Sequence, residues 1–358
     1  NLGDETIELT EAGNSIAADK LLSVVDLVKT SSGIVDASSV TSISGTYVKV
    51  NGVVAASSDD LTTNGAYAVE ITDNVADAAA DKLKAIIDDT TGSKDFKTVA
   101  KITGSVDDLL AVVRDNKTDL KVGVEFTAND AGTAAEVGEL KAATSGTVEA
   151  TVSDKDISTL LDATTGLVAQ GASATDKLTI ELDDTTANAK DLLALNSVTS
   201  ETVDASKVAT LTGTYSDISA VLADEDADEI NLGAGVDLNV SAATSSPTIA
   251  EINALVTDLR TTSALNGKIT ATLDGTVSDA QAKTLTTDAT KSDAITVKLS
   301  GAVIADAANL GVAADKTTVA IDASLATGIN GAAGDIATSL AAASTVISWG
   351  DAPDGAAF

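Results

Sequence analysis

Apolar residues fall into two rhythms that alternate along the chain. In short segments large or apolar residues recur at alternate positions: 67–72 (YAVEIT), 122–127 (VGVEFT), 147–152 (TVEATV), 178–182 (LTIEL), 269–273 (ITATL) and 295–299 (ITVKL). A period of two sends alternate side chains to one face, so each segment predicts a β-strand with one side buried. Between them, large aliphatic residues recur at i, i+3 and i+4: Leu83, Ile86 and Ile87; Leu109, Leu110 and Val113; Ile157, Leu160 and Leu161; Ile252, Leu255 and Leu259. That spacing predicts short amphipathic helices. A Ser or Thr three residues ahead of an acidic or amide residue marks their starts, at Ser105/Asp108, Thr133/Glu136, Ser153/Asp156, Thr214/Asp217, Thr248/Glu251 and Ser278/Gln281. This is the capping box or its Asp variant. Gly92 and Gly166, each after a Thr-Thr pair, and Gly146 after Ser145 read as helix stops in a left-handed conformation.

The same words also return over long distances. Val35-Asp36-Ala37-Ser38 precedes Ile43-Ser44-Gly45-Thr46-Tyr47, and Val203-Asp204-Ala205-Ser206 precedes Leu211-Thr212-Gly213-Thr214-Tyr215 with identical internal spacing, so that 35–47 is echoed at 203–215. A looser copy stands at Ile102-Thr103-Gly104-Ser105-Val106, and the first element returns as IDAS from Ile321 to Ser324. Strands start roughly 24 to 34 residues apart, inside the 20–50 residue range that marks arrays. A strand, a helix and another strand at that interval imply parallel pairing through crossovers. The reading is therefore an α/β chain: an elongated β/α solenoid of about ten to twelve strand-helix coils, with a parallel sheet on one face. Residues 1–358 form one continuous array with no composition shift to mark a boundary. A doubly wound globular sheet is the rival, and no Gly-rich phosphate loop follows any strand to support it.

Composition narrows the chemistry. The chain has no His, Cys or Met, and only three Phe, three Tyr and one Trp. Without His or Cys there is no Ser-His-Asp or Cys-His nucleophile, no ordinary zinc or haem site and no disulfide. With 54 acidic against 22 basic residues the net charge is −32, which repels nucleic acid and anionic lipid. No segment is long and apolar enough to predict direct membrane insertion. A chain that opens at Asn1 and lacks Met reads as a processed form or a segment of a longer product. Freedom from Cys together with strong acidity fits an extracellular or cell-surface location rich in cations, the alternative being an acidic cytosolic protein that happens to lack Cys.

Two oxygen-rich turns suit calcium, a hard cation. The first runs from Asp224-Glu225-Asp226-Ala227-Asp228-Glu229 into Gly233-Ala234-Gly235-Val236-Asp237, with Asp224, Asp226, Asp228, Gly233, Gly235 and Asp237 as candidate metal residues. A solvated acidic turn is the alternative. The second is Trp349-Gly350-Asp351-Ala352-Pro353-Asp354-Gly355, whose turn chemistry also explains it without an ion. Paired carboxylates could run a glycosidase, but no pair stands out and the aromatics are scattered, so no catalytic residue is assigned. Tyr47 and Tyr215 hold equivalent repeat positions and read as packing residues. Arg114 and Arg260, the two arginines, lie near predicted helix ends, where a cation favours the dipole. Asn116-Lys117-Thr118 and Asn239-Val240-Ser241 match the glycosylation sequon.

The stretches GTYSDISAVLAD (213–224), TIAEINALVTDL (248–259) and KITATLDGTVSDAQAKTL (268–285) resemble the Ala/Thr-rich repeats of large bacterial, cyanobacterial-type, secreted and cell-surface proteins. Such repeats sometimes accompany repeat-toxin calcium segments, and Gly233 to Asp237 resembles one turn of that nonapeptide. It does so with Leu232 where the nonapeptide has Gly, and with Asn239 where it has a large apolar residue. The resemblance implies an extracellular, non-catalytic structural repeat protein, such as a surface-layer, matrix or filament subunit or a spacer, that self-associates or meets other surface proteins and glycans. A second reading is an adhesin or phage-fibre-like module that binds a glycan or surface protein.

Overall fold

A computed structural model describes residues 5–10, 14–29, 33–57, 59–241, 246–262, 265–273, 275–300, 304–341 and 347–349. Among them, short strands alternate with twelve α-helices: α1 (Ala18–Val28), α2 (Tyr47–Ala56), α3 (Ala80–Asp89), α4 (Val106–Arg114), α5 (Ala134–Ala142), α6 (Ile157–Leu160), α7 (Ala189–Asn196), α8 (Tyr215–Asp226), α9 (Ile249–Thr257), α10 (Asp279–Ala282), α11 (Ala307–Ala314) and α12 (Ala333–Ala341). Many helices follow two strands, where the sequence rhythm predicts one: Ile34–Ala37 and Ser42–Gly45 lead into α2, and Lys94–Phe96 and Lys101–Gly104 lead into α4. The extra strands, such as Thr118–Leu120, are too short to display an alternation.

All pairings between the described strands are parallel. They build several sheets, not the single sheet on one face expected from sequence, and none closes into a barrel. Paired strands cannot all share one sheet when each coil contributes two that bond to different neighbours. Within every sheet the strands keep chain order without reversal. A doubly wound sheet reverses its order at a switch point, so these sheets are not of that kind.

The chain divides into two compact units. The first comprises Asn1–Asp154, Ser158–Ile180 and Val198–Ser200, and the second comprises Lys155–Ile157, Glu181–Ser197 and Glu201–Phe358. In the first, one buried row steps from Ile16 to Ile43 to Val69, and another from Ile102 to Phe126 to Val148. In the second, the row is Ala187, Leu211, Leu238 and Ile269. The steps range from 22 residues (Phe126 to Val148) to 31 residues (Leu238 to Ile269). All these side chains are buried, and with the inner helix faces (Leu21 and Val25, Leu83 and Ile86, Ile218 and Val221) they make a core of layers that are aliphatic apart from Phe126.

The recurring words now have physical roles. In Ile43-Ser44-Gly45-Thr46-Tyr47 the Ile is buried, Thr46 caps α2 by accepting from the Lys49 N–H, and Tyr47 opens the helix. Gly45 faces the first residue of the preceding helix: a Cβ there would lie 2.9 Å from the Ala18 Cβ. Gly104 repeats this against Ala80 at 2.5 Å, and Gly213 against Ala189 at 3.0 Å. Each glycine lets a strand end close on the helix start one coil earlier. In the VDAS element, the Asp accepts from the N–H two residues on: Asp36 from Ser38 at 2.9 Å, Asp204 from Ser206 at 3.0 Å and Asp322 from Ser324 at 2.9 Å. These turn bonds, with the serine as main partner, hold the three carboxyls below their ordinary value.

Five of the six anticipated caps form, three as full capping boxes at Thr133, Thr248 and Ser278. Ser153 does not cap, because α6 begins four residues later at Ile157. The stops differ as well. Gly92, Gly146 and Gly166 are not left-handed. Each lies where a Cβ would strike backbone, as with the Val124 carbonyl oxygen 2.5 Å from a Cβ on Gly146.

Candidate functional site

The acidic turn of the second unit is not gathered about one point. Asp224 and Asp226 lie in the last turn of α8, and Asp228 follows with φ of 61°. Asp224 faces Asn196 of α7, whose amide donates both to its Oδ2 at 3.0 Å and to Glu229 Oε2 at 3.1 Å. Burial first, then the charge of Glu229, pushes the Asp224 carboxyl up despite that bond. Burial and Asp226 likewise push up Asp258. Asp237 turns elsewhere, accepting from the Lys268 N–H at 3.0 Å and pairing with its ammonium at 3.3 Å. Gly233 admits the Ser206 carbonyl, and Gly235 has φ of 84° and donates to the Leu265 carbonyl at 2.6 Å. Among the described residues no three acidic side chains form a metal-ligand group. Of the second turn only Trp349 is described, and Gly350 to Gly355 lie outside the described residues.

Other carboxylates are organised in ways that no short-range motif reveals. The N–H of Tyr47, first residue of α2, donates to Asp73 Oδ1 at 2.7 Å. Val106 of α4 donates to Asp130 Oδ1 at 2.7 Å, and Ala134 of α5 donates to Asp154 Oδ2 at 2.7 Å. In the second unit Ile157 donates to Asp184 Oδ2 at 2.9 Å. Each acid lies 20–27 residues further on, Asp130 within a strand and Asp73, Asp154 and Asp184 in the segments that follow one. The first turn of a helix leaves orphan N–H groups and a partial positive charge. A carboxylate from the next coil answers both, while the local Thr46, Ser105 or Thr133 hydroxyl takes the N–H at the third position.

A second arrangement is built in each unit around a fully buried aspartate. Asp176 Oδ1 accepts from Lys141 Nζ at 3.0 Å and from the Val148 N–H at 2.8 Å, and its Oδ2 accepts from the Ser173 N–H at 2.9 Å. Asp293 Oδ1 accepts from Arg260 Nη2 at 2.6 Å and the Ile269 N–H at 2.8 Å, and its Oδ2 from the Asp288 N–H at 2.7 Å. The cations also donate to matching carbonyls, Gly146 at 3.0 Å and Gly267 at 3.3 Å. Both polar groups of the strand residue two positions beyond each aspartate are served by one buried threonine. Thr199 accepts from the Leu178 N–H at 2.9 Å and donates to its carbonyl at 2.8 Å, and Thr317 does so for Ile295 at 2.8 and 2.9 Å. An unpaired buried backbone group is costly. Here a side chain one coil on replaces the missing ladder partner.

No protein-family model matches the sequence, and no curated protein or solved structure is significantly similar to it.

Exposed ion pairs continue the pattern between coils. Arg114, at the end of α4, makes a bidentate contact with Glu139 of α5 at 2.7 and 2.6 Å, so it is a cross-coil tie rather than only a dipole partner. Glu181 lies between Lys155 and Lys207, both at 2.8 Å, which lowers its carboxyl to about 2. Asp95 and Asp119 are opposite in register, a repulsive arrangement, and Lys97 pairs with both. Tyr47 packs as its repeat position suggests, its hydroxyl accepting from the Ala79 N–H at 3.0 Å. A cleft of about 500 Å³ includes Thr248, Leu273, Val277 and Gln281 in its lining, and a groove of about 640 Å³ includes Leu120, Lys121 and Val122. Among the described residues that line them, none is acidic.

Proposed function

We propose that this chain is a non-catalytic structural repeat protein of the cell surface or extracellular space, a spacer, matrix, surface-layer or filament subunit, built as an elongated β/α solenoid. The observation that carries this reading is the use of polar chemistry for joining coil to coil. The aspartates on helix starts, the buried Asp176 and Asp293 clusters and the Arg114–Glu139 tie each link residues 20 or more positions apart within one unit. Such links suit a load spread along stacked coils, each supported by its neighbours. The remaining acidic surplus keeps the surface hydrated and repels other anions. Calcium, in this reading, relieves the crowding of Asp224, Asp226, Asp228 and Glu229 and stabilises the second unit.

Imaging the purified protein by electron microscopy with and without calcium tests the proposal, with small-angle scattering for its length. Rods, filaments or sheets are the expected result. A compact, calcium-indifferent monomer that binds a surface glycan or protein would overturn it in favour of an adhesive module.

A further inference from the structure

The two buried aspartate clusters share a plan but differ in one respect. In the first unit every polar atom of Lys141 and Asp176 has a protein partner. In the second, Arg260 replaces Lys141, and its side chain is 13% exposed. Its Nη2 reaches Asp293 and the Gly267 carbonyl, but its Nε is buried without a partner among the described residues. Thr287, fully buried, has an Oγ1 that is likewise unpartnered. The two residues are tied to the same carboxylate through neighbouring groups: Arg260 Nη2 holds Asp293 Oδ1, and the N–H of Asp288, next in the chain to Thr287, holds Oδ2. At the matching place before Ser173, the first unit has Ala172. The second unit thus adds a donor and a hydroxyl together, and neither has a partner among the described residues.

Two orphans in one buried cluster call for a shared partner, since each left alone costs a desolvation penalty. The chemistry of that partner is constrained. It must accept from Arg260 Nε, which can only donate, and it must bond a hydroxyl that can do either. The Arg260–Asp293 pair is already balanced in charge, so neither an anion nor a cation is favoured. We propose that the Arg260–Asp293 cluster encloses a bound water molecule that bridges Arg260 Nε and Thr287 Oγ1, a site the Lys141–Asp176 cluster does not have. Buried waters commonly bridge such otherwise unsatisfied groups.

The test compares Arg260→Lys, which copies Lys141, Thr287→Ala, which copies Ala172, and the double variant, in the full chain. Each single change leaves the water short of one partner and should lower the melting temperature. The double change removes both orphans and the need for the water, so its loss should be clearly smaller than the sum of the two singles. Additive losses would overturn the proposal. A crystal structure of the unaltered protein at high resolution gives a reading independent of variant folding: density within hydrogen-bond reach of both atoms supports the water. A direct Nε to Oγ1 bond, or dry surroundings, refutes it.

Discussion

Replacing Gly104 by Ala should destabilise the first unit through a single methyl group. The new Cβ would stand 2.5 Å from the Ala80 Cβ, whereas carbon atoms rest at about 3.5–4.0 Å. Neither side yields easily. Ala80 is fully buried at the start of α3, which Leu83 and Ile86 anchor in the core, and Gly104 ends a strand whose Ile102 is also fully buried. Relief requires moving the helix or the strand by about 1 Å, an overpacking cost of about 1–3 kcal/mol. Because Gly104 is not left-handed, alanine also restricts the unfolded chain and returns about 0.4–1 kcal/mol. The net loss is then about 1–2 kcal/mol, or some 2–4 °C per kcal/mol for a unit of this size. Thermal unfolding followed by circular dichroism measures it. Adding Ala80→Gly to Gly104→Ala should recover most of the loss, because it removes the other half of the clash. Gly311→Ala is the control: it lies in α11 with nothing within 4 Å of the new Cβ, and should gain up to about 1 kcal/mol. A Gly104→Ala protein as stable as the parent, or one that Ala80→Gly fails to rescue, would refute the close-approach account.

Other expectations are open to measurement. Asp130→Ala removes the carboxylate on the Val106 N–H and should cost about 0.5–2 kcal/mol, like the loss of a local cap, while Asp130→Asn should retain part because its amide oxygen still accepts; chemical denaturation decides both. Lys141→Met leaves the buried Asp176 carboxylate with backbone and serine donors only, a loss of about 3–5 kcal/mol in the same assay. Glu181 should titrate near 2 by NMR, and Lys207→Met should raise that midpoint; because the folded value lies below the ordinary 4.5, its ion pairs support the fold above about pH 4.5 and lose that effect between 4.5 and 2. Asp224→Asn should raise thermal stability at pH 7 without calcium, since a carboxyl pushed up by burial and Glu229 destabilises the fold when ionised. Under the calcium reading the same variant loses part of the stabilisation that calcium gives the parent.

Much of the local structure is legible in the residues. The caps at Ser105, Thr133, Thr214, Thr248 and Ser278 need only a hydroxyl and an N–H three residues apart, so the sequence shows them. The strand at Val148–Val152 and the helix around Leu83 and Ile86 follow from periodicity. The failure at Ser153 is instructive: α6 starts at Ile157, where Asp184 supplies the acceptor from 27 residues away. Gly92 and Gly146 show the same limit. Their role lies in the backbone of the preceding coil, near Tyr67 and Val124, which no local rule can see, whereas Gly166 meets only its own turn at Leu160 and Asp162.

The candidate calcium residues mark the same divide. Proximity in sequence suggested that Asp224 to Asp237 act together, yet Asp224 turns to Asn196 and Asp237 to Lys268. The residues brought together in fact, Lys141 with Asp176 and Arg260 with Asp293, lie 35 and 33 positions apart. The sequence by itself determined the parallel α/β character, the repeat, the helix starts and the exclusion of His- and Cys-based chemistry, because these depend on composition and on spacings within one turn or one strand. Only the tertiary structure decided how many sheets form and which acids cap a helix or hold a buried cation. Those outcomes depend on strand register, and a register shift of one residue moves every side chain of a strand to its other face.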